Sequence, residues 1–91
     1  MTSNTVTIQN QRGIHVRPAM LIVKAAQGYP GSITVCRPGG IDIKLNSALA
    51  LMAMALHPGD TVTVCVNGPE EQQKCTEISE LIASTFDFPE A

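Results

Sequence analysis

Gly13-Ile14-His15-Val16-Arg17-Pro18-Ala19 runs straight into Met20-Leu21-Ile22-Val23-Lys24-Ala25-Ala26-Gln27. The step from a polar loop to an apolar run with helical spacing decides how the chain is read. Proline is accepted in a first helical turn, because its missing N–H would have no intrahelical partner there. A helix is therefore expected from Pro18 to Gln27, with Ala19, Ile22, Val23 and Ala26 on its apolar face. Gly28 stands where a C-terminal cap glycine belongs. His15 falls at or beside the helix start, where unpaired N–H groups and the positive dipole end attract anions. Arg17 adds a planar cation suited to phosphate oxygens. A nucleophile that titrates near neutral pH beside an anion cradle points to phosphoryl transfer onto the imidazole.

Outward from this helix, the remaining elements follow from alternation and turn residues. Thr5 to Gln9 alternates polar and apolar, as a half-buried strand does. Ile33 to Arg37 and Ile41 to Leu45 read as a second and a third strand, joined through Pro38-Gly39-Gly40 as a hairpin. Ala48 to Leu56 contains strong helix formers and no β-branched residue, with Ser47 as a natural N-cap and His57-Pro58-Gly59-Asp60 as the stop. Thr61 to Val66 forms a fourth strand, with Val62, Val64 and Val66 on one side. A last helix is expected from Glu70 to Thr85, its apolar face made by Cys75, Ile78, Leu81 or Ile82, and Phe86. Phe88 to Ala91 reads as a loose tail. The order β-α-β-β-α-β-α describes an α+β open-faced sandwich: one four-stranded antiparallel sheet with three helices on one face.

Composition narrows the function. Ninety-one residues, 44% of them hydrophobic, suit a single domain spanning 1–91. A net charge of −2 argues against a binder of nucleic-acid phosphates, and 3% aromatics leave little for stacking bases. No apolar stretch reaches membrane-spanning length and no signal-like segment opens the chain, so a soluble, cytoplasmic monomer is expected. Cys36, Cys65 and Cys75 are odd in number and contain no CxxC pair. Neither a disulfide framework nor a zinc site is indicated, and three reduced structural thiols are expected. No cofactor is called for.

The glycine-isoleucine-histidine motif, set between a strand and a helix, resembles that of the HPr family. These are the histidine-containing phosphocarrier proteins of the bacterial phosphoenolpyruvate:sugar phosphotransferase system. The order of elements, the strand Ile33-Thr34-Val35 and the serine opening the second helix share the resemblance, which covers nearly the whole chain. It implies a sheet order of 1-4-2-3. It implies that His15 accepts a phosphoryl group on Nδ1 from enzyme I and passes it to enzyme IIA-type acceptors. In that scheme Arg17 holds the phosphate, Lys24 faces enzyme I, and the protein is a stoichiometric carrier and not an enzyme. Ser47 falls where many members carry a serine phosphorylated by HPr kinase/phosphorylase. Four departures stand out: a hairpin one residue longer than in common members, Asn46 where lysine is usual, Ala50 where glycine is frequent, and a tail from Asp87 to Ala91 that matches no family pattern.

Plain structural roles compete with these. A histidine before a helix can be a simple loop residue, Lys24 a solubilising charge, and Ser47 a cap and nothing more. A helix apolar on every side cannot bury all its faces in so small a domain. Some of Met20, Leu49 and Met52 are therefore expected at the surface near His15, as an adaptable docking patch. A mainly regulatory protein read through Ser47, or a carrier of the nitrogen branch, would share the same motif.

Overall fold

The computed structural model describes residues 1–9, 16–40 and 42–84. Four strands, β1 (Thr2–Thr7), β2 (Ser32–Cys36), β3 (Asp42–Lys44) and β4 (Thr61–Asn67), alternate with three helices, α1 (Val16–Ala26), α2 (Ala48–Ala53) and α3 (Glu71–Ala83). The sheet order is β1-β4-β2-β3, with every neighbouring pair antiparallel. This is the open-faced sandwich expected from the sequence, with the implied strand order.

Strand alternation explains the core. Val62, Val64 and Val66 of β4 and Ile33 and Val35 of β2 point to one face and are buried beneath the helices. Ala19, Ile22 and Val23 of α1 and Cys75, Ile78 and Ile82 of α3 close over them. Each fully buried aliphatic side chain contributes about 1.5–3 kcal/mol. Ile82, not Leu81, completes the α3 stripe; Leu81 is half-buried at its edge. Ser79 is a buried polar residue that the pattern did not single out, its Oγ lying 4.0 Å from Cys75 Sγ one turn away. Cys75 Sγ donates to the Val64 carbonyl at 3.7 Å, and burial pushes its thiol pKa up. All three cysteines are free.

The element ends differ from the sequence reading for identifiable reasons. β1 begins at Thr2 and ends at Thr7, earlier than Thr5 to Gln9, because its register on β4 runs from Thr2 opposite Val66 to Thr7 opposite Thr61. It is an edge strand, and Ser3, Asn4 and Thr5 are all exposed, so alternation does not mark them. α1 starts at Val16, not Pro18; Pro18 still lies in the first turn, where no N–H is needed. β3 is described from Asp42 to Lys44, with the Leu45 N–H bonding the Ile33 carbonyl beyond its end. Ile41, which was expected to open it, lies outside the described residues, as do Thr85, Phe86 and the tail. Gly28 takes φ +79 just past the end of α1, after Gln27, as a cap glycine should. At Gly31 a Cβ would collide with the backbone oxygen of Asn67, so only glycine lets the turn after α1 cross the end of β4.

The largest departure is α2, which stops at Ala53 although helix formers continue to Leu56. Met54 caps it and Ala55 turns into the left-handed region at φ 53, which carries Leu56 into the core at 3% exposure. Arg37, from the end of β2, holds this turn. Its Nη2 donates to the carbonyls of Met54 at 2.8 Å and Ala55 at 3.3 Å, and lies 3.4 Å from Asp60 Oδ2. The short bond to Met54 dominates: a charge-assisted bond contributes about 1.5–3 kcal/mol, whereas a half-exposed ion pair contributes about 0–1. The same loop returns to β1, since the Ile8 N–H bonds the Asp60 carbonyl at 2.8 Å and the Gly59 N–H bonds the Ile8 carbonyl at 3.0 Å.

Two consequences can be measured. Ala55→Gly removes the steric cost of a left-handed alanine and should stabilise the fold by about 0.5–1 kcal/mol, seen as a raised melting temperature. Glu71, at the start of α3, accepts from the amino group of Met1, from Thr2 Oγ1 and from the Gly68 N–H. Chiefly the amino group, then Thr2, draws its pKa from 4.5 to about 2. A carboxylate with a depressed folded pKa stabilises the fold above its unfolded value and loses that contribution as pH falls. The melting temperature should therefore drop between pH 4.5 and about 2. Glu71→Gln should melt lower at pH 7 and show a flatter profile across that window.

Candidate functional site

The candidate site gathers at α1 and α2, which pack against each other. His15 itself lies outside the described residues; it directly precedes Val16, the first residue of α1. Arg17 follows in the first turn and is exposed. That turn contains no carboxylate, so nothing acidic on the helix opposes an anion at its start. α1 and α2 together carry two cations, Arg17 and Lys24, and no acidic residue, whereas α3 carries Glu71, Glu77 and Glu80. A protein of net charge −2 therefore presents a basic helical face.

The apolar side chains expected at the surface separate into two groups. Met20 is 60% exposed and Leu49 is 73% exposed. Met52 is half-buried and packs against the core, because it flanks the fully buried Leu51 on a helix whose inner side faces α1. Leu21, which the sequence reading did not single out, is 41% exposed. Its signal was available: it is a leucine off the stripe formed by Ala19, Ile22, Val23 and Ala26. Lys24 is exposed in the last turn of α1. The end of that helix is also held from α3, where Lys74 Nζ donates to the Ala25 carbonyl at 3.1 Å.

Ser47 is the N-cap of α2. Its backbone is extended (φ −147, ψ 123) and its Oγ accepts the Ala50 N–H at 3.2 Å. His57 lies beyond the other end of α2, its backbone N–H on Asp60 Oδ2 at 2.9 Å, as a surface loop residue. A cleft of about 330 Å³ opens between the β2–β3 hairpin and α2, lined by Arg37, Gly40, Ile43, Ala50, Ala53 and Met54. It includes none of the candidate site residues. Among the described residues, no group of three or more His, Cys, Asp and Glu could hold a metal. Among the described residues no helix is long and apolar enough to cross a membrane.

With this geometry established, comparison with known proteins identifies its class. The family described as "PTS HPr component phosphorylation site" matches residues 2–84. The chain belongs to this family, whose members carry phosphoryl groups within the phosphotransferase system and are not themselves enzymes. Similar relatives include phosphocarrier protein HPr of Treponema pallidum, 34% identical and covering 96% of this chain and 98% of that protein. Phosphocarrier protein NPr of Escherichia coli K12 is 31% identical, covering 91% and 92% respectively. Among solved structures, HPr-C-His from Thermoanaerobacter tengcongensis superposes with a TM-score of 0.81 at 27% identity, covering 90% of this chain and 91% of that one.

Ser47→Ala should cost about 1 kcal/mol, since the Ala50 N–H loses its acceptor, while Ser47→Asp should keep the cap. Thermal melts of both variants would check the assignment; equal losses would show that the hydroxyl, and not a cap acceptor, is what the position needs.

Proposed function

We propose that His15 is the phosphoacceptor of this carrier and that α1 and α2 form the surface on which its partners dock. The carrying observation is the exposed apolar and basic face of the two helices: Arg17, Met20, Leu21, Lys24 and Leu49. A soluble domain gains nothing for its own stability by leaving Met20 and Leu49 in water. Apolar residues of this flexible kind suit a surface that must accept several different proteins in turn.

In this reading the His15 imidazole, unprotonated at the accepting nitrogen, attacks the phosphorus of phospho-enzyme I. The phosphorus–nitrogen bond to the donor breaks as the new one to His15 forms, and the transfer then runs in the same sense onto an enzyme IIA-type acceptor. A phosphoramidate is labile enough to be passed forward, which a serine ester is not. The guanidinium of Arg17 and the N–H groups at the start of α1 hold the equatorial oxygens, so the protein contributes positioning and charge. The sugar branch is the assignment we favour, supported by the Treponema HPr similarity over nearly the full chain. Ser47 has a full structural role as a cap, and regulation through it, by HPr kinase/phosphorylase, is a secondary proposal.

The test is incubation with labelled phosphoenolpyruvate and, separately, the enzyme I of the sugar branch and that of the nitrogen branch. Acid-labile label delivered faster by the sugar-branch enzyme is the expected result; faster labelling by the other moves the protein to the nitrogen branch. His15→Ala should abolish labelling with an unchanged melting temperature, and retained label would defeat the site assignment. Leu49→Glu should raise the KM for this protein in enzyme I assays at least tenfold with little change in melting, because Leu49 contributes exposed surface and not core. Met52→Glu should instead lower the melting temperature.

A further inference from the structure

The sheet face turned away from the helices carries a chemistry that phosphoryl transfer leaves unused. In the β2–β4 ladder Cys36 stands opposite Thr63 and Thr34 stands opposite Cys65. The two cysteines are thus diagonal neighbours in adjacent rows, on the face opposite the buried Val35 and Val64. Both are free and half-exposed. The cross-strand residues completing the square, Thr34 and Thr63, are short. Asp42 lies opposite Cys36 in the β2–β3 ladder, on the same face.

The spacing selects what such a pair can do. Diagonal cross-strand neighbours stand about 7–8 Å apart, their Cβ atoms somewhat closer. A disulfide needs Cβ atoms roughly 3.5–4.5 Å apart, so the ladder would have to shift to form one. A cation held in line between two thiolates needs more room: two bonds of about 2.3 Å place the sulfurs roughly 4.5 Å apart. Zinc would require four ligands, and among the described residues no group of three forms. Hard cations prefer oxygen.

We propose that Cys36 and Cys65 form a two-coordinate site for a soft monovalent d¹⁰ cation of the copper(I) class on the open face of the sheet. Binding replaces two S–H bonds with two metal–sulfur bonds. Two protons leave to solvent, no electron is transferred, and the bis-thiolate unit carries one negative charge. The site lies on the far side of the sheet from α1 and α2, so it stands independently of the phosphocarrier reading.

The experiment is an anaerobic titration of the reduced full chain with copper(I) in competition with a colorimetric copper(I) chelator, the metal being counted by native mass spectrometry. One equivalent per chain is expected. Cys36→Ser and Cys65→Ser should each weaken binding at least tenfold, and Cys75→Ser should not, since Cys75 lies beneath the helices. Circular dichroism of each variant controls for folding; Cys36→Ala and Cys65→Ala serve as second variants should the serines perturb the sheet. Two equivalents in the wild type, falling to one in each single variant, would show independent thiols and overturn the pair. Equal weakening by Cys75→Ser would overturn it as well, as would a Cys36–Cys65 disulfide formed under diamide by a chain that takes up no copper.

Discussion

Three valines on one side of β4 set the terms for everything else. Val62, Val64 and Val66 are completely buried, and they lie on the strand that pairs with both β1 and β2. Every second residue of an extended strand faces the same way, so the buried side can be covered only by elements on that side. All three helices are consequently recruited to one face. A sheet covered on one face leaves a wide polar surface behind it and crowds the helices together in front. The exposed apolar residues Met20, Leu21 and Leu49 are products of that crowding, for a helix pressed against its neighbours still keeps one flank in water.

Much of this was legible in the sequence because the decisive signals are local and regular. Alternation in Thr61 to Val66, a glycine after an apolar helix, and a serine before one each have a single physical reading, and each is found in the structure. What was not legible is decided by partners distant in sequence. The early end of α2 depends on Arg37, seventeen residues before Met54, and on the need to bring Leu56 under the sheet. Helix propensity alone would have carried the helix onward; tertiary bonding outweighed it. The start of β1 was hidden because an edge strand exposed on both faces need not alternate. Ser79 was hidden because a small hydroxyl can lie in a core when a polar neighbour sits one turn away.

The candidate site divides along the same line. His15 and Arg17 are legible as chemistry: residue types and order alone suggest a phosphoryl acceptor beside a helix start. The exposed apolar surface of α1 and α2 was only half legible. That some apolar residues of α1 and α2 must stay wet follows from counting faces, but which ones depends on how the helices roll against each other. Rolling left Met52 half-buried against the core and exposed Leu21. The identity of the class was settled by similarity across most of the chain, whose 34% and 31% identical relatives carry the two carrier names.

The grip of Arg37 on α2 has a consequence for how the chain tolerates change. Its two short-range acceptors are main-chain carbonyls, those of Met54 and Ala55, and every amino acid provides such a carbonyl. Substitution at positions 54 or 55 leaves the acceptors in place, whereas substitution at 37 removes the only donor of the set. The dependence between the hairpin and the helix is therefore one-sided. In a family of such sequences it would appear as a constraint at one position with no matching signature at its partners. Methods that find contacts from paired changes would pass over it, although it fixes where the helix ends.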